Sequence, residues 1–416
     1  MRRKSANVHL EPNPVFQSLV DLDIIEHTML WYSINQQSLN QILTDLRLSD
    51  LQTSMHKVFD DIWKIYPENM LKNRTWHWWW WIYFFENPDA PEFPRQLMVL
   101  WGTRNCRKIR VNDYRWEPTI PMEIDGTHAT FESMVASWYY DGKKMHEPLL
   151  LDHGKTETER DDHTGRIRME GHNGVYSYGG NCTNFWLKID TDRVGIELST
   201  EKWKDAMAEL VSTGRNFVGN MGYSMLKYRG LSSSGRIRLG DTETSVKGRS
   251  YFQKVRISSL TPCWYWGTVQ WDNGAYLQYF LPHIGIPMLR HSISHESTMD
   301  WGEKMISKTL NFYDPSEGKE YSMEDVKVTK YYENGLPVFH VSATSGQSVL
   351  SIEMATYARC CWKISQPLIG PIWSWIFYNE YPATVRSFKF KTGNRSVNND
   401  DFGKSYCNCE HTWGLV

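Results

Sequence analysis

From Trp76 onward the chain is a succession of short apolar–polar alternations punctuated by Gly, Asn, Asp and Pro. A two-residue period with turn signals every ~8–12 residues predicts antiparallel strands and argues against a β–α alternation. The strongest local signal surrounds Trp264-Tyr265-Trp266, where two strands lead in and a third follows Asp272-Asn273-Gly274. Asn-Gly between apolar runs predicts a type I′ hairpin turn with positive φ at both central residues. Glu333-Asn334-Gly335, between strands over 326–332 and 338–341, repeats that signal.

Residues 13–66 follow another period. Val15, Phe16, Leu19 and Val20 form one stripe, and Leu39, Ile42, Leu43 and Leu46 a second. Ser49 is placed to cap a third helix with Gln52 in the capping box, and Leu51, Met55, Val58, Phe59 and Ile62 then fall on one face. Pro67 ends it. The expectation is helices packed on the outside of the following β domain, with a dimerisation arm as the alternative. At residues 76–85 (WHWWWWIYFF) the pattern changes to rings on both strand faces. Such a strand separates a barrel interior from a second buried layer.

Further hairpins are predicted at 166–170 with 175–178, 185–189 with 193–198, and 236–239 with 245–251. The acidic stretch 152–162 reads as a solvated loop. A helix is expected after Thr200, burying Trp203, Met207, Leu210 and Val211 and ending at Gly214. Residues 351–362 fit a strand or a short helix, 373–378 and 385–390 two separate strands, and 402–413 the closing strand.

A six-residue echo ties the halves together. Gly248-Arg249-Ser250-Tyr251-Phe252-Gln253 returns about 155 residues later as Gly403-Lys404-Ser405-Tyr406-Cys407-Asn408. The spacing is about one domain length. The organisation read from it is a helical extension over 1–72, a first barrel over 73–258 and a second over 259–416.

A chain of 416 residues can bury ample core, and 41% hydrophobic with 23% charged residues suits a globular protein. A net charge of −2 argues against a nucleic-acid partner. No window offers 18 apolar residues for a membrane helix. Met1-Arg2-Arg3-Lys4 is followed by no apolar run of signal-peptide length. Seven cysteines, two pairs of them adjacent or nearly so (Cys360-Cys361 and Cys407-x-Cys409), favour free thiols and a cytoplasmic setting. The 20 Trp, 22 Tyr and 16 Phe suit a ligand cavity, because rings bring large apolar area with few rotatable bonds.

Nucleotide-binding, P-loop, nucleophile-elbow and zincin motifs do not occur. His291-x3-His295-Glu296 near His283, and Cys407-x-Cys409 with His411, have metal-ligand spacing but lack a placed complement of further ligands. No metal and no cofactor are expected.

Residues 248–279 resemble the domain junction of the two-lipocalin-domain family typified by carotenoid 1,2-hydratase (hydroxyneurosporene synthase), which fungal lipocalin-like Diels–Alderases share. The common pattern is a glycine, an aromatic strand, a short polar motif, a W-x-W strand and a D-x-G or N-G turn. The resemblance implies two antiparallel lipocalin-like barrels, hence a mainly β fold, with a lipophilic pocket near their contact. It also implies an acid from a D-H-x-W motif, but Gln253-Lys254-Val255-Arg256 stand there, and Tyr265 replaces the middle aspartate of W-D-W.

The remaining candidates for chemistry are Glu410, Gln253, Lys254 and Tyr265, within walls of Trp264, Trp266, Tyr251, Trp138 and Tyr140. An aromatic pocket holding a few polar groups suits an isoprenoid, carotenoid or polyketide-like ligand. Hydration, cyclisation or isomerisation are the reactions open to it. A non-catalytic lipid carrier, a structural protein and a carbohydrate-binding module stay as alternatives. The oligomeric state is not readable.

Overall fold

The computed structural model describes residues 62–65, 75–104, 108–161, 163–181, 183–202, 211–218, 221–259, 261–296, 302–369 and 372–415. All belong to one unit, Thr53–Val416. The chain opens with β1 (Thr75–Phe85) and β2 (Arg95–Arg104), then gives two short strands, β3 (Ile109–Val111) and β4 (Tyr114–Trp116). There follow β5 (Glu123–Asp125), β6 (His128–Tyr140), β7 (Met145–Arg160), β8 (Gly165–Gly171) and β9 (Gly174–Gly180). Next come β10 (Asn184–Thr191), β11 (Val194–Lys202), β12 (Val211–Val218), β13 (Met221–Leu239) and β14 (Thr242–Ser258).

Ten of these strands close an antiparallel barrel in the order β11-β10-β9-β8-β7-β6-β2-β1-β14-β13, with β13 pairing back onto β11. Closure removes the free edges that an open sheet would present.

The rest of the chain gives β15 (Cys263–Trp271), β16 (Tyr276–Gly285), β17 (Glu303–Met305), β18 (Thr309–Asp314), β19 (Lys319–Met323) and β20 (Asp325–Glu333). It ends with β21 (Leu336–Ser345), β22 (Ser348–Thr356), β23 (Cys360–Ile369), β24 (Ile372–Thr392), β25 (Arg395–Asn398) and β26 (Ser405–Leu415). Their sheet runs β19-β18-β16-β15-β26-β24-β22-β21-β20 and curls round its own core of Val269, Leu277, Phe312, Phe339, Ile352 and Phe388. No ladder joins β19 to β20 among the described residues. The β3–β4 hairpin crosses over to pair with β23.

Both halves close in the same way: β14 pairs with the opening strand β1, and β26 with the opening strand β15. Tyr251 and Tyr406 of the echo both face the layer where the sheets meet. Gly248 lies inside β14, where a Cβ would sit 1.9 Å from the Phe84 carbonyl oxygen. Gly403 precedes β26 with φ 76°.

The ring-rich strand β1 has two buried faces. Trp79, Trp81, Tyr83 and Phe85 fill the first barrel, whereas Trp80, Ile82 and Phe84 face the second sheet. Each buried ring contributes on the order of 2–3 kcal/mol. Gln96 staples the sheets by donating to the Tyr357 hydroxyl (2.9 Å) and the Cys407 carbonyl (2.8 Å).

Several expectations are corrected. Within the 152–162 stretch, residues 152–160 belong to strand β7 rather than a loop, because Thr156 and Thr158 turn inward while Glu157 and Glu159 point out; residue 162 lies outside the described residues. Thr200 lies in β11 and 211–218 form β12, so no helix ends at Gly214; residues 203–210 lie outside the described residues. Residues 351–356 fall in β22 and 360–362 in β23, with a short connection between them, and 373–390 form one strand through Pro382. That proline sits where the neighbour of β24 changes from β23 to β22, so its missing N–H is tolerated. At Asp272-Asn273-Gly274 only Gly274 has positive φ (93°), and Gly274 N donates to Trp271 O, so this turn is type I with a bulge. Asn334 and Gly335 both have positive φ (51° and 76°), as a type I′ turn requires.

The helices expected over 13–66 fall outside the described residues, apart from Ile62–Ile65, of which Ile62 and Trp63 are helical. These pack on inward-facing side chains of the first barrel, with Trp63 4.9 Å from the Tyr178 ring and the Ile62 carbonyl accepting from Trp79 Nε1 (2.7 Å). No helix among the described residues is long and apolar enough to cross a membrane.

Candidate functional site

Antiparallel pairing of β24 with β26 sets Glu380 directly opposite Glu410. Strand alternation turns both carboxyls, together with Tyr378, into the aromatic layer between the sheets. Glu380 is 0% and Glu410 5% exposed. Trp80 Nε1 (3.3 Å) and Trp138 Nε1 (3.0 Å) donate to Glu380, and Trp264 Nε1 (2.7 Å) donates to Glu410. The Tyr378 hydroxyl bridges the pair, bonded to Glu380 Oε1 and to Glu410 Oε1 (2.7 Å).

That bridge fixes the proton count. A phenol carries one proton, so Tyr378 can donate to only one carboxyl. Its other contact needs a proton from the carboxyl itself, so the pair holds at least one proton. Electrostatics agree. Burial pushes Glu410 up to about 7, against the hydrogen bonds from Trp264 and Tyr378. Burial and then the Glu410 charge raise Glu380 well above the usual carboxylate range, opposed by Tyr378, Trp80 and Trp138. Burial also raises the Tyr378 phenol well above its ordinary value, so it stays protonated. The pair is therefore an acid available at neutral pH, surrounded by indole donors.

The likeness to known proteins is distant. No family model and no curated protein matches the chain. A Nitrosomonas europaea protein provisionally designated AttH is similar to it at 12% identity, covering 85% of this chain and 97% of its own, with a TM-score of 0.44. Kievitone hydratase from Nectria haematococca is similar at 9% identity, covering 84% and 93%, with a TM-score of 0.37. At such scores the fold rests on the strand pairing alone.

The structure brings Glu410, Trp264 and Trp138 together as direct partners of the carboxyl pair. Trp266 and Tyr251 flank them, with ring centroids 5.3 and 5.8 Å from Trp80. Gln253 lies on the same face but accepts from Tyr251 (3.1 Å), which in turn accepts from Gln278 (2.9 Å). Tyr140 is in the layer against Tyr357, at 5.0 Å. Lys254 points the other way, over Trp79 and onto the Lys64 carbonyl. Tyr265 faces the second core, between His283 and His411. Sequence reasoning missed Glu380, Tyr378 and Trp80. An acid inside the apolar run 372–385 was the available signal for Glu380.

The layer is tightly packed at the carboxyls, with Trp264 and Tyr378 5.9 Å apart. Trp264 is half-buried, which makes it the more exposed partner of Glu410 beside the buried Tyr378. A groove of about 90 Å³ beside β3 and β4, lined by Arg110, Trp116 and Trp373 among others, contains none of the carboxyl-pair residues.

Proposed function

We propose that this protein binds a lipophilic small molecule in the layer between its two β-sheets and transfers a proton to it from the Glu380–Glu410 pair. The observation that carries this reading is the shared Tyr378 hydroxyl, which requires a protonated carboxyl in a site where burial disfavours charge. A placed acid of raised pKa is what protonation of a weakly basic carbon or carbonyl needs. The indole faces of Trp80, Trp138, Trp264 and Trp266 suit a developing cation through cation–π attraction. Acid-initiated hydration, cyclisation or isomerisation of an isoprenoid, carotenoid or polyketide-like substrate begins with this step. Trp264 is the ring that moves to admit the substrate. Burial of Trp79, Trp80, Trp81, Trp101, Trp138 and Trp271 speaks against sugar stacking, which needs exposed indoles.

The test is mass spectrometry of the ligand extracted from purified protein, followed by incubation of that ligand with wild type, Glu410→Gln, Glu380→Gln and Trp264→Ala. The acid reading predicts that either glutamine abolishes turnover with binding retained, and that Trp264→Ala weakens binding. Wild-type turnover in both glutamine variants refutes the acid. Binding without turnover in wild type supports a lipid carrier.

A further inference from the structure

Residues next to the acid pair, but of opposite parity, build a second polar cluster inside the second sheet. Tyr265 (β15) pairs with His411 (β26), and their rings stack at 4.3 Å. His283 (β16) stacks on the other side of Tyr265 at 5.0 Å. Glu303 (β17) closes the group, accepting from the Tyr265 hydroxyl at 2.7 Å. The ligand atoms of His283, Glu303 and His411 all lie within 4.8 Å of one another.

We propose that His283, Glu303 and His411 bind a first-row divalent transition metal. His283 Nδ1 lies 3.2 Å from the Leu281 carbonyl, so it carries the ring proton and donates it there. This is the outer-shell bond that fixes the tautomer of a metal-ligating imidazole. It leaves the Nε2 lone pair facing the Glu303 carboxylate at 4.0 Å. The Tyr265 hydroxyl likewise orients Glu303 as an outer-shell donor orients a ligating carboxylate. Two neutral imidazoles and one carboxylate select zinc, cobalt or iron over calcium and magnesium. Bonds of about 2.0–2.2 Å require ligand atoms roughly 3.4 Å apart, so each moves inward by under about 1 Å.

Lys330 competes with the metal. Its Nζ lies 3.1 Å from His411 Nδ1. Loading through Nε2 therefore moves the His411 imidazole proton to Nδ1, where it opposes the Lys330 ammonium. The other His-containing group, Asp152 with His153 and His172, is a weaker metal site. Asp152 already accepts from three backbone N–H groups and the Tyr176 hydroxyl.

Purified full-length protein stripped with chelator is titrated with zinc and, for its visible spectrum, with cobalt. The proposal predicts one zinc per chain retained after desalting, a thermal midpoint that rises and saturates at one equivalent, and a cobalt spectrum of nitrogen–oxygen ligation. Glu303→Gln and His283→Gln lose retention, Tyr265→Phe weakens it roughly tenfold, and Lys330→Met tightens it. Glu303 is at the partly exposed edge, so its variant folds and isolates the ligand effect. No retained zinc and no midpoint shift in wild type and Lys330→Met overturns the proposal. Undiminished retention in folded Glu303→Gln does the same.

Discussion

Glu410→Gln should raise stability by under about 1 kcal/mol at pH 5 and by several times that at pH 8. Folding lifts the Glu410 pKa from 4.5 to about 7. Between those values the folded chain binds more protons than the unfolded one, so stability is greatest below pH 4.5 and falls as pH rises through 7. The gap is about 2.5 units, which at about 1.4 kcal/mol per unit is roughly 3–4 kcal/mol lost by pH 8. The side chain is fully enclosed, so solvent screening does not reduce the figure much. Glutamine imitates the protonated acid, with its oxygen accepting from Trp264 Nε1 and its amide donating toward Tyr378. The variant thus keeps the contacts and escapes the ionisation. Urea midpoints of both proteins at pH 5, 6, 7 and 8 should lie closest at the acid end and diverge toward alkaline pH, the variant being more stable. Parallel curves, or a variant less stable at pH 8, would refute the reasoning.

Two further outcomes follow from buried polar groups. Asp152→Asn turns an amide toward four donors, and should lower stability by about 2 kcal/mol in a denaturant titration. Cys263, Cys360, Cys361, Cys407 and Cys409 are free, while Cys106 and Cys182 lie outside the described residues. Thiol titration under denaturing, non-reducing conditions should recover seven thiols, and three or fewer would contradict this.

Strand periodicity was readable wherever one face is buried and the other wet, as in β8 to β11. The two-faced aromatic strand β1 was readable too, because rings at every position leave no helical stripe. Length was harder to read. Pro382 and the polar Asn379-Glu380 look like a break, and only the change of neighbour from β23 to β22 shows why one strand continues through them. The loop assigned to 152–162 failed for a related reason: net acidity masked an inward threonine alternation.

At the site, Glu410 was legible as an acid among rings. Its partner was not, because pairing of β24 with β26 is a long-range register that no local pattern encodes. Parity also divided the candidates. Lys254 and Tyr265 neighbour Gln253, Trp264 and Trp266, which face the layer between the sheets, but point to the opposite face, as a one-residue step on a strand enforces.

The central claim is that the Glu380–Glu410 pair holds a proton at neutral pH, and infrared difference spectroscopy of the carboxyl carbonyl region measures it directly. Wild type at pH 7 should show the stretch of a buried protonated carboxyl. The band should shift when Tyr378→Phe removes the bridge and should be absent from Glu380→Gln/Glu410→Gln. Two ionised carboxylates at pH 7, with no protonated band in wild type, would contradict the account.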